Sequence, residues 1–474
     1  MSLSLDEVRS FRPPAPLPRA EGVGWLSLLR TLWNNPLEAW TTSYFERPVV
    51  RTKVPFGDVI VVSDPGAIRR VLADNVANYR KDNFQKRMLA ALSNGLLTAE
   101  DAQWQTQRRT MAPVFAARNI RDFAPAMAAL AGELVERWRQ RDGEVIDVAA
   151  EVTDFTLRVL ERTIFSGGIP TTRHDAREAM RTYFDSLGRI DAFDLLDLPD
   201  FLPRVARRRA DKAIRLIHDA VDEMIAERRR LFGDDLADAP QDILTLLMRT
   251  RDPQTGQGLT QPEIRANVMT FLAAGHETTA NTITWTLFLL SQSSMWRDRV
   301  AAEAERELDG PPGERADRLV DTRAVVEETL RLYPPLAAIS RVALGPDELA
   351  GVPLKRGAMV VIAPYVLHRH QILWKEPDLF DPARFLPDVR RQIDRYVYIP
   401  FGAGPRGCIG QVFALQEATL AVAGIVRSVR LEPAPGHEVW PVHRITLRPR
   451  NGLPMIVRAL PASAAQCDGR SAGA

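Results

Sequence analysis

The segment Phe401-Gly402-Ala403-Gly404-Pro405-Arg406-Gly407-Cys408-Ile409-Gly410 decides how this chain is read. Four glycines surround a single cysteine. Glycine reaches backbone geometries that other residues resist, and it lets a flat ligand approach the chain closely. Residues 409–418 carry helical spacing, which predicts the sulfur at a helix N-terminus. There the helix dipole and unpaired amides favour a thiolate, the form that iron or zinc binds. Taken alone, a cysteine is more often a small buried hydrophobe. No Cys-x-x-Cys pair supports a redox motif, and no second cysteine or histidine cluster accompanies it as zinc requires. A cysteine-hydrolase arrangement, with a histidine brought close by the fold, stays open at this level.

The rest of the chain bounds the answer. Its 474 residues are 45% hydrophobic and 26% charged, an ordinary globular balance that excludes a disordered tail, a collagen-like fibre or a disulfide-stapled mini-protein. A formal charge of +2 gives no reason to expect nucleic acid or an anionic membrane as partner. With only two cysteines, Cys408 and Cys467, a disulfide framework is excluded and a reducing, cytoplasmic setting is expected. The polar, proline-rich start lacks the apolar core of a signal peptide, and no run of about 18 apolar residues predicts a transmembrane anchor.

The pattern predicts a mainly α protein with small β-sheets, folded as a single domain over 1–474. Residues 1–22 read as an irregular lead-in and 461–474 as a frayed tail. A helix is expected from Trp25. A hairpin is expected over 48–54 and 58–62, turning at Pro55-Phe56-Gly57. Mostly helical spacing runs from 65 to about 233, broken at Pro170 and over 197–203. The longest helix is expected over about 262–290, roughly 40 Å at 1.5 Å per residue. Further helix runs to Tyr333, where Pro334-Pro335 stops it. Short strands follow over 339–362, an irregular stretch over 374–395, and β-like segments from about 439 to 460.

Residues 401–410 match, at every fixed position, the pattern Phe-x-x-Gly-x-Arg-x-Cys-x-Gly, and so resemble the haem-binding loop of the cytochrome P450 family. Other stretches resemble the family in order and at its spacing. Glu328 and Arg331 form a Glu-x-x-Arg pair, and Asp381 to Phe385 resembles the segment that supplies a further arginine, Arg384, although Ala383 stands where the family more often has Glu. Trp104 and Arg108 form a Trp-x-x-x-Arg pair on one side of a helix. Ala274-Gly275-His276-Glu277-Thr278 lies in the long helix, where Gly275 costs about 1 kcal/mol relative to Ala and calls for a reason.

The resemblance implies the P450 fold, with haem b (Fe-protoporphyrin IX) between the long central helix and the helix after the cysteine loop. Cys408 would be the metal ligand, an axial thiolate on the iron. Phe401 and Gly410 would line its loop, and Trp104, Arg108, Arg341 and Arg406 would hold the propionates. Glu328, Arg331 and Arg384 would form a buried structural network. Glu277 and Thr278 would handle oxygen and protons in a groove over the iron, with His276 a passive neighbour. His368 and His370, alternating in a loop, are too few for a metal site. The implied reaction is hydroxylation of a hydrophobic small molecule with one atom of O2. Residues 409–474 are too short for a typical flavin domain, so a separate donor, a ferredoxin with its reductase or a flavodoxin, is expected. Arg390, Arg391 and Arg395, with Arg108 and Arg109, predict a basic face for an acidic donor. The alternatives are a peroxide-driven haem-thiolate oxygenase, whose members tend to carry Arg-Pro at the acid–alcohol position, and a non-catalytic haem-binding protein. The chain is expected to act as a monomer. Ala273, Ala274, Leu336, Ala338 and Ile339 are expected to border an apolar pocket. Some fatty-acid hydroxylases of the family anchor the carboxylate on the first hairpin; here its second strand offers Asp58 and Val62, while Arg51 and Lys53 on the first keep the question open, and a neutral terpenoid, steroid or alkyl aromatic is favoured over a free fatty acid.

Overall fold

The computed structural model describes residues 11–22, 24–54, 57–82, 94–166 and 205–461. The turn at Pro55-Phe56, the breaks at Pro170 and 197–203, and the tail with Cys467 lie outside the described residues. The principal helices are α1 (Trp25–Asn34), α2 (Asp101–Met111), α3 (Ala124–Arg139), α4 (Val148–Phe165), α5 (Val205–Phe232), α6 (Gln261–Gln292), α7 (Ser294–Glu307), α8 (Val320–Leu332) and α9 (Gln411–Ser428).

Helix α6 is the axis. Thr260 and Glu263 close its N-terminus as a capping box, and Pro262 sits in the first turn, where no backbone donor is lost. Beyond that turn it is apolar on nearly all sides, so it is stable only when surrounded. It packs against α4, α8 and α9, and α9 in turn packs against α3 and α7. Gly275 finds its reason in this packing: a Cβ there would lie 3.3 Å from Leu160 of α4. The glycine admits a neighbouring helix, independently of any groove.

The strands are β1 (Val49–Val54), β2 (Gly57–Val62), β3 (Tyr79–Arg80), β4 (Val145–Asp147), β5 (Ile339–Ala343), β6 (Asp347–Leu349), β7 (Val352–Leu354), β8 (Met359–Ile362), β9 (Val429–Pro433), β10 (Pro441–His443), β11 (Leu447–Pro449) and β12 (Pro454–Ala459). The largest sheet runs β1-β2-β8-β5-β3. Its first pair is the expected hairpin, with Val49 opposite Val62. Strands β3 and β4 interrupt the stretch read as mostly helical; β3 has only two residues, too few to leave a period. Strand β9 follows α9 directly, earlier than the expected start near 439.

His368 shows how the loop before the cysteine is fastened. It is fully buried, and its Nε2 accepts a hydrogen bond from the Ile399 amide at 2.9 Å. Burial, with Arg331 and Arg369 nearby, pushes its pKa down to about 3. The folded chain therefore binds one proton fewer than the unfolded chain between about pH 3 and the ordinary histidine value near 6.5, and this share of stability is lost as pH falls below 6.5. Between pH 7.5 and 5.5 that loss is about 1 kcal/mol from His368 alone. Urea unfolding at the two pH values, compared with His368→Gln, should show a smaller pH effect in the variant. Equal pH effects would show that this imidazole does not carry the linkage.

Candidate active site

The cysteine loop is shaped by its neighbours as much as by its own residues. Gly402 and Gly404 both have φ of +70°, and a Cβ on Gly404 would run into the Leu72 carbonyl. Thus Gly404 is required by the close approach of the 70–74 segment. The Cys408 amide donates to the Phe401 carbonyl at 2.8 Å, closing the loop. Helix α9 begins at Gln411 with Gly410 as its N-cap, so Cys408 lies just ahead of the helix rather than in its first turn. The sulfur is accessible, yet protein surrounds it, and burial raises the thiol pKa. The Gly410 amide and the Arg108 charge oppose that rise.

The four expected propionate contacts converge on this loop. The Arg406 guanidinium lies 4.3 Å from the centre of the Trp104 ring and donates to the Ala99 carbonyl at 3.1 Å. Arg108 is close enough to Cys408 for their charges to interact. Arg341, on β5, sits near Arg406 and bonds only the Ser340 carbonyl, at 2.8 Å. Burial lowers all three arginines, Arg341 to about 10, and the charge of Arg406 depresses Arg341 further. Among the described residues no carboxylate forms an ion pair with any of them. Three partly desolvated cations without a bonded anion are costly by themselves and favourable around a dicarboxylate.

Helix α6 carries the acid and the alcohol. The Thr278 hydroxyl donates to the Ala274 carbonyl at 2.6 Å, which leaves its lone pairs free to accept. Ala274 is exposed within a largely buried helix, and Ala273 is half-buried. Leu336 and Ala338 are likewise exposed on either side of buried Ala337, and Ile339 lies 3.9 Å from where a Gly402 Cβ would stand. These apolar positions are open in stretches that are otherwise packed. His276 is buried and held neutral, its pKa lowered to about 4 by burial. Glu277 accepts from Thr446 at 2.6 Å, a partner 169 residues away that no local pattern announces.

The Glu-x-x-Arg pair is fully buried. Glu328 receives two bonds from Arg331, at 2.7 and 2.8 Å, and one from the Asp381 amide at 2.8 Å. Arg331 also donates to the carbonyls of His368, Pro377 and Leu379. Arg384 is a looser member than expected: its Nε stands 3.8 Å from Glu328, and its one hydrogen bond goes to the Glu376 carbonyl.

The expected basic face is largely neutralised. Arg109 is bound to buried Asp252, Arg390 to Glu327 at 3.2 Å and Arg391 to Asp388 at 3.3 Å, while Arg108 points to the cysteine side. Arg395 stacks on Tyr396 without an ion pair among the described residues. These acids are distant in sequence or lie outside the arginine run, so counting charge in the run alone overstates the patch. A cleft of about 470 Å³ behind the cysteine loop is lined by Arg390, Arg395, Tyr396, Phe401 and Gln411. On the hairpin, Arg51 is paired with Asp58.

A family model described as Cytochrome P450 matches residues 13–453. The chain belongs to the cytochrome P450 family. It is 33% identical to cyclooctat-9-en-7-ol 5-monooxygenase of Streptomyces melanosporofaciens, over 85% of this chain and 87% of that one. It is 32% identical to pentalenene oxygenase of Streptomyces avermitilis, over 88% and 91%. The crystal structure of the cytochrome P450DA heme domain superimposes with a TM-score of 0.82 at 25% identity, covering 94% of this chain and 98% of that one. This P450 is accordingly a monooxygenase, of a family that binds haem and takes O2 and electrons from a redox partner. No helix among its described residues is long and apolar enough to cross a membrane.

The buried pair gives this P450 a measurable dependence. Glu328→Ala leaves the Arg331 charge uncompensated at zero exposure. The expected loss is about 3–5 kcal/mol in chemical unfolding. A loss below about 1 kcal/mol, the range of exposed pairs, would show that the pair carries little of the fold.

Proposed function

We propose that this P450 hydroxylates a neutral, hydrophobic terpenoid-like substrate, using electrons from a separate small donor protein. The observation that carries the substrate class is the open apolar lining at Ala274, Leu336 and Ala338, read together with two relatives named for oxygenating cyclooctat-9-en-7-ol and pentalenene. Arg51, the nearest candidate to anchor a fatty-acid carboxylate, is neutralised by Asp58. Binding then rests mainly on apolar burial, at about 25 cal/mol per Å².

The residues fit haem b. Cys408 supplies a soft sulfur ligand, and Arg108, Arg341, Arg406 and Trp104 supply donors for two carboxylates. Phe401 closes the loop by accepting from the Cys408 amide and would shield the sulfur, and Gly410 gives it an amide. When bound, the haem supplies the activation of O2. The overall balance is R–H + O2 + two electrons + two protons giving R–OH + H2O. The protein's share is to exclude charge from the pocket, to orient the substrate over apolar side chains and to pass protons. Thr278 Oγ1, committed as a donor to Ala274, accepts a hydrogen bond in the groove and can relay a proton. Glu277, the adjacent acid, exchanges protons between the groove and the hairpin side. The electron donor docks at the cleft behind the cysteine loop, whose rim carries Arg390 and Arg395.

Two measurements test this reading. Thr278→Ala should keep the thiolate-type carbon monoxide difference band and substrate affinity. It should lower product per NAD(P)H and raise peroxide release; unchanged coupling would leave Thr278 a purely structural residue. Oxygenation driven by peroxide alone, at rates matching the reductant-driven reaction, would instead favour the peroxide-driven class. Second, a panel of neutral terpenoid hydrocarbons and long-chain fatty acids is titrated while the ferric spin state is read. Terpenoids should give the larger shifts. Tight binding of fatty acids alone would overturn the substrate class.

A further inference from the structure

We infer that Thr446 is a positioning residue for Glu277 and that the β10–β11 hairpin, at the far end of the chain, sets where that carboxylate stands. The inference rests on the proposed proton-handling role of Glu277. Glu277 leaves α6 with its side chain 29% exposed. Asn281, one turn further on, does not bond the carboxylate itself. Its Nδ2 donates to Thr446 Oγ1 at 3.0 Å. A threonine hydroxyl has one proton and two lone pairs; one lone pair accepts from the Asn281 amide, and the proton goes to the acceptor Glu277 Oε1, at 2.6 Å. The relay is thus directional: amide to hydroxyl, hydroxyl to carboxylate. Thr446 and Asn281 are buried, so the bond between them is shielded from bulk water, while the Thr446–Glu277 bond is only partly so. Arg448, also on the hairpin and half-exposed, stands 3.7 Å from the same Oε1 and adds only a screened attraction.

The hairpin is itself pinned on three sides. The Leu447 amide donates to the Pro335 carbonyl at 2.9 Å, and Trp285 of α6 donates to the Leu447 carbonyl at 3.4 Å. Asn35, just beyond α1, donates to the Pro441 carbonyl and accepts from the His443 amide. A hydroxyl in the turn of a hairpin held in this way gives the carboxylate one preferred place. Without it, the carboxylate turns toward Arg448 and solvent and spends less time where it can exchange a proton with the Thr278 side.

Thr446→Val removes the donor at nearly constant shape, and Thr446→Ser keeps it. Product per NAD(P)H is measured with the terpenoid of the panel that gives the largest spin shift. Thr446→Val should lower it by about tenfold, the scale of one hydrogen bond to a charged group. Thr446→Ser should restore it, and spin-shift affinity and the carbon monoxide band should stay unchanged. Independently of turnover, urea unfolding of Thr446→Val, Glu277→Gln and the double variant should be non-additive, because the two residues share one bond. If Glu277→Gln itself leaves coupling intact, the reading of the acid falls. If Glu277→Gln uncouples while Thr446→Val does not, or if the unfolding effects simply add, the positioning role falls.

Discussion

The charge of Arg331, taken wholly out of water, governs much of this structure. An isolated buried cation is too costly to keep, so everything around it is arranged to compensate it. Glu328 provides the counter-charge from the same helix, and three backbone carbonyls from 368–379 take up the remaining donors. The consequence is mechanical. Helix α8 is stapled to the long loop that leads into the cysteine segment. His368, whose carbonyl Arg331 holds, fastens the Ile399 amide just ahead of Phe401. One buried ion pair therefore transmits position from the helical core to the start of the cysteine loop.

The opposite electrostatic choice is made beside the cysteine. Arg108, Arg341 and Arg406 lie about the cysteine loop with no bonded carboxylate among the described residues; burial lowers each, and Arg406 lowers Arg341 further while Asp82 and Glu100 partly offset it. Such an arrangement is unfavourable in the protein alone, and it makes sense as a cradle for a dianion. It also steadies the sulfur: burial raises the thiol pKa, and Arg108 with the Gly410 amide draws it back. Structural charge is paired internally at Glu328–Arg331, whereas the three arginines at the cysteine loop carry no ion pair among the described residues.

Helix α6 serves both as the core's axis and as a wall of the site, and the two roles occupy different faces. Gly275 yields to Leu160 so that α4 can pack, while Ala274 stays open and Thr278 folds its hydroxyl back onto the helix. Glu277 turns to the β10–β11 hairpin, which is in turn tied to Asn35 and Pro335. The acid and the alcohol are adjacent in sequence but answer to separate parts of the molecule.

The cysteine loop, the Glu-x-x-Arg pair, the long helix and the first hairpin were all legible in the chain, because each is a local pattern: glycine placement, spacing of three or four, or alternation. Short strands such as β3 were not, since two residues carry no period. Nor was the reason for Gly404, which lies in the Leu72 carbonyl, or the weakness of the basic face, since the acids that neutralise Arg109 and Arg390 come from distant helices and loops. Arg384 was legible as a member of the network, but not its looseness, which depends on tenths of an ångström. The sequence by itself determined which chemical groups this P450 possesses. Only the tertiary structure decided which charges are paired, which are left for a ligand and which hydroxyl holds Glu277, because those outcomes depend on desolvation and on contacts between residues hundreds of positions apart.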